Sequence, residues 1–214
     1  MPVERIVPTP KGDARLVVRR AKRPVATLVL THGAGGGINA PDLVRLARTL
    51  PQQDISVTLV EMPWRMAGKK LAPATAVIDE CYTAVLNSMR TRSPLVIGGR
   101  SAGARSACRI ARTVGARGVL ALSFPLHPPG KPEKSRLAEL QRARVRTLVI
   151  QGERDPFGTP EEFPGDIEMA VVPAADHSMK VATSAPLSQA DALAVVLEAT
   201  LEWVVREVAG NRND

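Results

Sequence analysis

The chain reads as an α/β fold in which a mostly parallel, twisted sheet is flanked by helices on both faces. Two observations predict this. Short apolar, β-branched runs alternate with longer amphipathic stretches, the pattern of strands joined by crossover helices. The 214 residues, 44% of them hydrophobic, are enough for one well-packed core and few for two, so residues 1–214 are read as a single domain.

Taken in order, RLVVRR (15–20) and VATLVLT (25–31) are β-branched runs and predict the first two strands, followed by a helix over 41–50. SVTLVE (56–61) is the next strand, and the long amphipathic stretch after it predicts a helix over 73–91. PLVIG (94–98) leads at once into small, helix-compatible residues, hence a helix over 102–114. GVLALS (118–123) is followed by HPPGKPEK (127–134), where prolines block both ladder and helix hydrogen bonds and impose a loop before a helix over 135–143. RTLVIQ (146–151) and IEMAVV (167–172) complete the strands, and 187–208 is a closing helix. No repeat, low-complexity tract or dividing linker interrupts the series.

Composition narrows the function classes. A net charge of +8 invites a nucleic-acid reading. The basic residues are nevertheless scattered through every segment, and only 3% of residues are aromatic, leaving few platforms for base stacking. No sequence-specific nucleic-acid partner is expected, and Arg105, Arg109 and Arg112 read as a solvated helical face. Cys81 and Cys108 lack any CxxC or metal-type spacing and read as buried free thiols. The amino-terminal stretch has no apolar signal-peptide core and no run is apolar enough to cross a bilayer, so a soluble, cytoplasmic protein without a membrane partner is expected.

In open α/β sheets, ligands bind where loops leave the carboxyl ends of the strands. The segments to read for chemistry are therefore HGAGGG (32–37), MPWRMAGKK (62–70), GRSAGAR (99–105), PLHPPGKPE (125–133), GERDPFG (152–158) and ADHSM (175–179). All three histidines, His32, His127 and His177, fall in them. Gly99-Arg100-Ser101-Ala102-Gly103 is a G-x-S-x-G placed after a strand and before a helix, the context of a nucleophile elbow, where the flanking positions must be small.

A serine hydroxyl attacks only when an imidazole takes its proton, and the imidazole needs an acid on its other nitrogen. Asp155 and His177 follow Ser101 in the order Ser, Asp, His. Asp176 is a rival acid by proximity, but side chains of adjacent residues usually point apart. A developing oxyanion needs donors. The N–H of Ala102 begins the nucleophile's helix, and the N–H of Ala34 in the glycine-rich loop is the second, with Gly35 as fallback. His32 reads as organising that loop. The histidines contain no local metal-ligand pair, so no metal and no organic cofactor is expected.

HGAGG, GRSAG, GERDPFG and ADHS, in this order, resemble the α/β-hydrolase fold over nearly the whole chain. PLHPPGKPEK together with MPWRMAGKK resembles more narrowly the small hydrolase-like family of testis-expressed protein 30 and a chromatin acetyltransferase complex subunit, related to dienelactone-hydrolase-like proteins. Dienelactone hydrolases carry cysteine at the elbow, where this chain has Ser101, so lactone chemistry is not implied. The resemblance implies the fold and the triad more than a substrate.

The remaining candidates are substrate-pocket residues. His127 follows a strand and either contacts substrate or orients its loop. Trp64 and Met66 are candidate walls, and Arg100, beside the nucleophile, is placed to meet an anionic substrate. Little chain separates the strand at 118–123 from the next helix, so no lid domain is expected. The expected activity is hydrolysis of small acyl esters through an acyl-enzyme, with acyl thioester hydrolysis or a non-catalytic protein-interaction module on the same scaffold as alternatives.

Overall fold

The computed structural model describes residues 2–210. Eight strands form one sheet: β1 (Val3–Thr9), β2 (Gly12–Arg19), β3 (Ala26–Thr31), β4 (Ile55–Glu61), β5 (Leu95–Arg100), β6 (Gly118–Leu122), β7 (Arg146–Gly152) and β8 (Met169–Val172). Their order across the sheet is β1-β2-β4-β3-β5-β6-β7-β8. β1 and β2 pair antiparallel, as do β2 and β4, and every pairing from β4 to β8 is parallel. The parallel strands β3 and β6 are buried along their whole length, as expected of strands covered on both faces.

Helices α1 (Pro41–Thr49) and α6 (Gln189–Trp203) cover one face, where Leu43, Leu46 and Trp203 pack on Leu28, Leu120 and Ile150. Helices α3 (Thr75–Asn87), α4 (Ala102–Ile110) and α5 (Leu137–Gln141) cover the other, where Tyr82, Ala107 and Leu140 share a core with Val29, Ile97 and Val149. The buried Tyr82 hydroxyl contacts the carbonyls of Val29 and Gly98 and so bridges β3 and β5. The short α2 (Pro63–Met66) caps the end of β4. Between β6 and α5 there is only a loop with one 3-10 turn, Pro132–Lys134, and no lid domain.

The predicted elements appear with trimmed ends: the helices expected over 73–91 and 187–208 run Thr75–Asn87 and Gln189–Trp203, the latter continuing as a π-helical turn over Val204–Ala209. β1 was not expected. Of its seven residues only Val7 is buried, so this edge strand lacks the one-sided apolar alternation that marks a half-buried strand. α2 stands where a loop was expected.

A second correction concerns Arg105 and Arg109. They are not a solvated face: their side chains are 18% and 11% exposed. Arg105 forks onto Glu139, and Arg109 binds Asp79 on α3 and Glu139 on α5. The two guanidinium groups thereby tie three helices together, and only Arg112 points to solvent. Cys81 and Cys108 are buried free thiols. Among the described residues no helix is long and apolar enough to cross a membrane.

Candidate active site

Ser101 links the end of β5 to the start of α4 with φ 49°, in the left-handed region that a non-glycine residue avoids unless its surroundings fix it. The surroundings do so through two close approaches. A Cβ on Gly99 would lie 2.4 Å from the Thr31 carbonyl oxygen, and one on Gly103 would lie 2.8 Å from Thr31 Cγ2 and 2.9 Å from the His32 carbonyl oxygen. Only glycine at both positions lets β5 and α4 sit this close to β3.

His177, on the loop after β8, brings Nε2 to 3.0 Å from Ser101 Oγ and Nδ1 to 2.7 Å from Asp155 Oδ2. Because the carboxylate only accepts, Nδ1–H donates to it and Nε2 is left to accept from the serine hydroxyl. Asp155 is fully buried, and its other oxygen accepts the Phe157 N–H at 2.8 Å. Asp176 is engaged elsewhere: its Oδ1 accepts the N–H groups of Ser178 and Lys180, which shapes the histidine loop.

Three residues that the sequence reading did not single out hold this arrangement. Gln151, buried at the end of β7, donates through Nε2 to Asp155 Oδ2 at 3.0 Å and to the carbonyls of Gly158 and Phe124. Phe157 stacks on the His177 ring with centroids 4.2 Å apart. Asp42, only 1% exposed on α1, pairs with Arg100 Nε at 2.9 Å. Its carboxyl is pushed above the usual range by burial, against the pull of Arg100. A glutamine closing an apolar strand four residues before the acid was the one local signal for Gln151.

The glycine-rich loop approaches the serine from β3: a Cβ on Gly33 would lie 3.4 Å from Ser101 Cβ. The N–H groups of Ala34, Gly35 and Ala102 donate to no acceptor among the described residues, so all three are free for a substrate oxygen. Gly35 is exposed, with open space where its Cβ would be. The Trp64 indole N–H donates to the Ala34 carbonyl at 3.3 Å and so holds this loop.

Three candidate pocket residues have other tasks. His32 is buried; its Nε2 accepts the Met62 N–H at 3.0 Å and its Nδ1 donates to the Gly33 carbonyl at 2.8 Å. Burial lowers its pKa and keeps the ring neutral, and Trp64 packs edge-on against it. Arg100 is not free to meet an anion, because Nη2 donates to the His177 carbonyl at 2.6 Å while Nε faces Asp42. His127 is likewise spent: Nδ1 donates to the Pro128 carbonyl at 2.9 Å and Nε2 to Glu162 at 2.8 Å. Its hydrogen bond to the Pro128 carbonyl, together with Glu162, raises its pKa. His127 N–H also donates to the Phe157 carbonyl, so its loop buttresses the residue stacked on His177.

Trp64 lines a cavity of about 450 Å³ at the same end of the sheet, together with Pro63, Ala67, Leu71, Pro73 and Val77, and neither Ser101 nor His177 reaches that lining. Met66 is 40% exposed and takes no part in it.

A family model described as Alpha/beta hydrolase domain matches residues 24–205. Among solved structures, the chain is similar to a lidless α/β serine hydrolase from Xanthomonas campestris (17% identity, TM-score 0.72, covering 97% of this chain and 95% of that one). It is also similar to a dienelactone hydrolase from Anabaena variabilis (16% identity, TM-score 0.71, 97% and 99%). A third is Est1E from Butyrivibrio proteoclasticus (13% identity, TM-score 0.69, 94% and 99%).

Proposed function

The chain belongs to the alpha/beta hydrolase domain family, and from that premise we propose that it is a serine hydrolase cleaving small carboxylic esters through an acyl-enzyme. The observation that carries the reading is the continuous relay from Ser101 Oγ through the His177 ring to a buried Asp155, at 3.0 and 2.7 Å. Ser101 Oγ attacks the acyl carbonyl carbon while His177 Nε2 takes its proton, and Asp155 stabilises the imidazolium that forms. The oxyanion accepts the free N–H groups of Ala102 and Ala34, the first at a helix N-terminus whose dipole favours negative charge. Collapse of the tetrahedral intermediate expels the alkoxide, which takes the proton from His177. Water, deprotonated by the same nitrogen, then releases the acid and restores Ser101.

Esters are favoured because an alkoxide leaves more readily than an amine and asks less of a site without a lid. Thioesters fit the same relay. The lidless serine hydrolase and the esterases among the structural neighbours support the reaction class. The narrower kinship suggested by the loop 125–133 is in keeping with its task here, anchoring Phe157 through His127. The cytoplasm is the compartment of this reading, in keeping with two buried free thiols.

Intact-mass analysis after treatment with a fluorophosphonate tests the assignment without knowledge of the substrate. One adduct on the native chain, absent from Ser101→Ala and His177→Ala, is expected. A folded native chain that takes no adduct would overturn the reading in favour of an interaction module.

A further inference from the structure

The amino-terminal ends of the parallel strands lie at the opposite end of the sheet from Ser101. Four of the segments that meet there are 19–25, where β2 ends and β3 begins, and 88–94, 111–117 and 141–146, which lead into β5, β6 and β7. They hold eleven of the 29 Lys+Arg residues and none of the 21 Asp+Glu. The segments leading into β4 (50–54) and β8 (164–168) add Asp54, Asp166 and Glu168 to this end, and Glu207 meets Arg146 there, so eleven basic residues stand against four acidic ones. Cations that are scattered along the sequence are gathered by the topology.

Ten of the eleven residues are exposed. Among the described residues only Arg146 has an ionic partner, Glu207. Surface cavities of about 680, 370 and 610 Å³ open between them, and no carboxylate lines any of the three. Arg112, Arg142 and Arg144 line the first, and Arg90 lines both others. Arg144 adopts φ 48° just after α5, where glycine would be the least strained residue, and holds its guanidinium at the cavity rim despite that.

The chemistry of this face selects its partner. Ten of the eleven cations are arginine, whose planar fork matches a phosphate. No aromatic residue occurs in the four segments, and none of the large exposed hydrophobics lies in them. Protein interfaces need an apolar centre and interfacial membrane binding needs an apolar face, whereas a phosphate backbone needs only cations and the release of its counterions. From β2 to β7 the face spans about 24 Å at the usual strand spacing, a length of duplex that carries about 14 phosphate charges. We propose that this end of the molecule is a docking face for the phosphodiester backbone of double-stranded nucleic acid, engaged without reading base sequence. The face is independent of the reaction assigned to Ser101.

Fluorescence anisotropy with two duplexes of about 30 base pairs and unrelated sequence tests it, with salt varied from about 50 to 200 mM. The expected result is equal binding of both, with Kd on the order of 10⁻⁵–10⁻⁶ M at the low end. The slope of log K against log salt should become shallower by about 2–3 in the Arg90→Gln/Arg92→Gln/Arg117→Gln variant, and by about 2 in Arg112→Gln/Arg142→Gln. A Lys11→Gln/Lys69→Gln/Lys70→Gln control at the other end should keep the native slope, with circular dichroism checking the fold of each. The proposal is overturned if no duplex binds at low salt, if one sequence is strongly preferred, or if the control loses as much slope as the two face variants. It is equally overturned if vesicles rich in phosphatidylserine bind the native chain and duplex does not.

Discussion

Asp155 gains its importance from where its two oxygens point. One accepts from His177 and Gln151, the other from the Phe157 N–H, and burial removes water as a substitute for any of them. Asp155→Asn should keep the fold but present an amide where the imidazole needs an acceptor, reversing the tautomer and lowering kcat by about 10³–10⁴-fold. Asp176→Asn should stay within a few-fold of native, since that carboxylate only caps two loop N–H groups. Steady-state hydrolysis of a 4-nitrophenyl ester distinguishes the two, and comparable losses would reassign the acid. Ser101, Asp155 and His177 were legible in the sequence because each follows a strand and the three keep a fixed chain order. Arg100–Asp42 was not, because it joins residues 58 apart in number through an approach that only the folded sheet creates.

At the scale of elements, the loop 125–133 and the capping-box turn at Thr159–Glu162 are joined by one histidine whose two ring nitrogens both face acceptors. The imidazolium satisfies both, so the pKa of His127 is raised, first by the Pro128 carbonyl. That of Glu162 is lowered, first by the Thr159 N–H. The histidine's contribution is complete below the ordinary histidine pKa and is lost as pH rises through its raised folded value. The glutamate's is present above the ordinary carboxylate pKa and is lost as pH falls through its lowered folded value. The anchor is therefore strongest between about pH 4.5 and 6.5. Thermal melts of native chain and His127→Gln across pH 4 to 9 should differ most inside that window and converge above it. A difference that does not vary with pH would remove the charge from this account. The loop itself was readable from its prolines. Its anchor was not, because Glu162 lies 35 residues beyond His127 and sequence offers no reason to pair them. β1 escaped notice for the opposite reason: it is local, but it buries too little to leave a pattern.

For the molecule as a whole, the hydrolase fold was foreshadowed by motifs, while the distribution of charge was not. The basic residues of segments 19–25, 88–94, 111–117 and 141–146 look dispersed along the chain, and only the strand order β2-β4-β3-β5-β6-β7 brings them to one rim. Unpaired like charges on one end oppose the compact state until counterions screen them. Raising sodium chloride from about 20 to 300 mM should therefore increase Tm by about 2–4 °C, the equivalent of about 1 kcal/mol. The gain should shrink in Arg90→Gln/Arg117→Gln. A melting temperature that falls with salt would show that attractive pairs elsewhere outweigh this repulsion.

This polarity also gives the molecule a preferred orientation in an electric field. Most of the excess positive charge lies on the rim away from Ser101, so any negatively charged support will draw the protein down by that rim. An adsorbed layer on a sulfonate or phosphate resin would present the serine, the histidine and the open glycine-rich loop outward to the flowing liquid. Attachment of this kind needs no engineered tag and leaves the approach to Ser101 unobstructed.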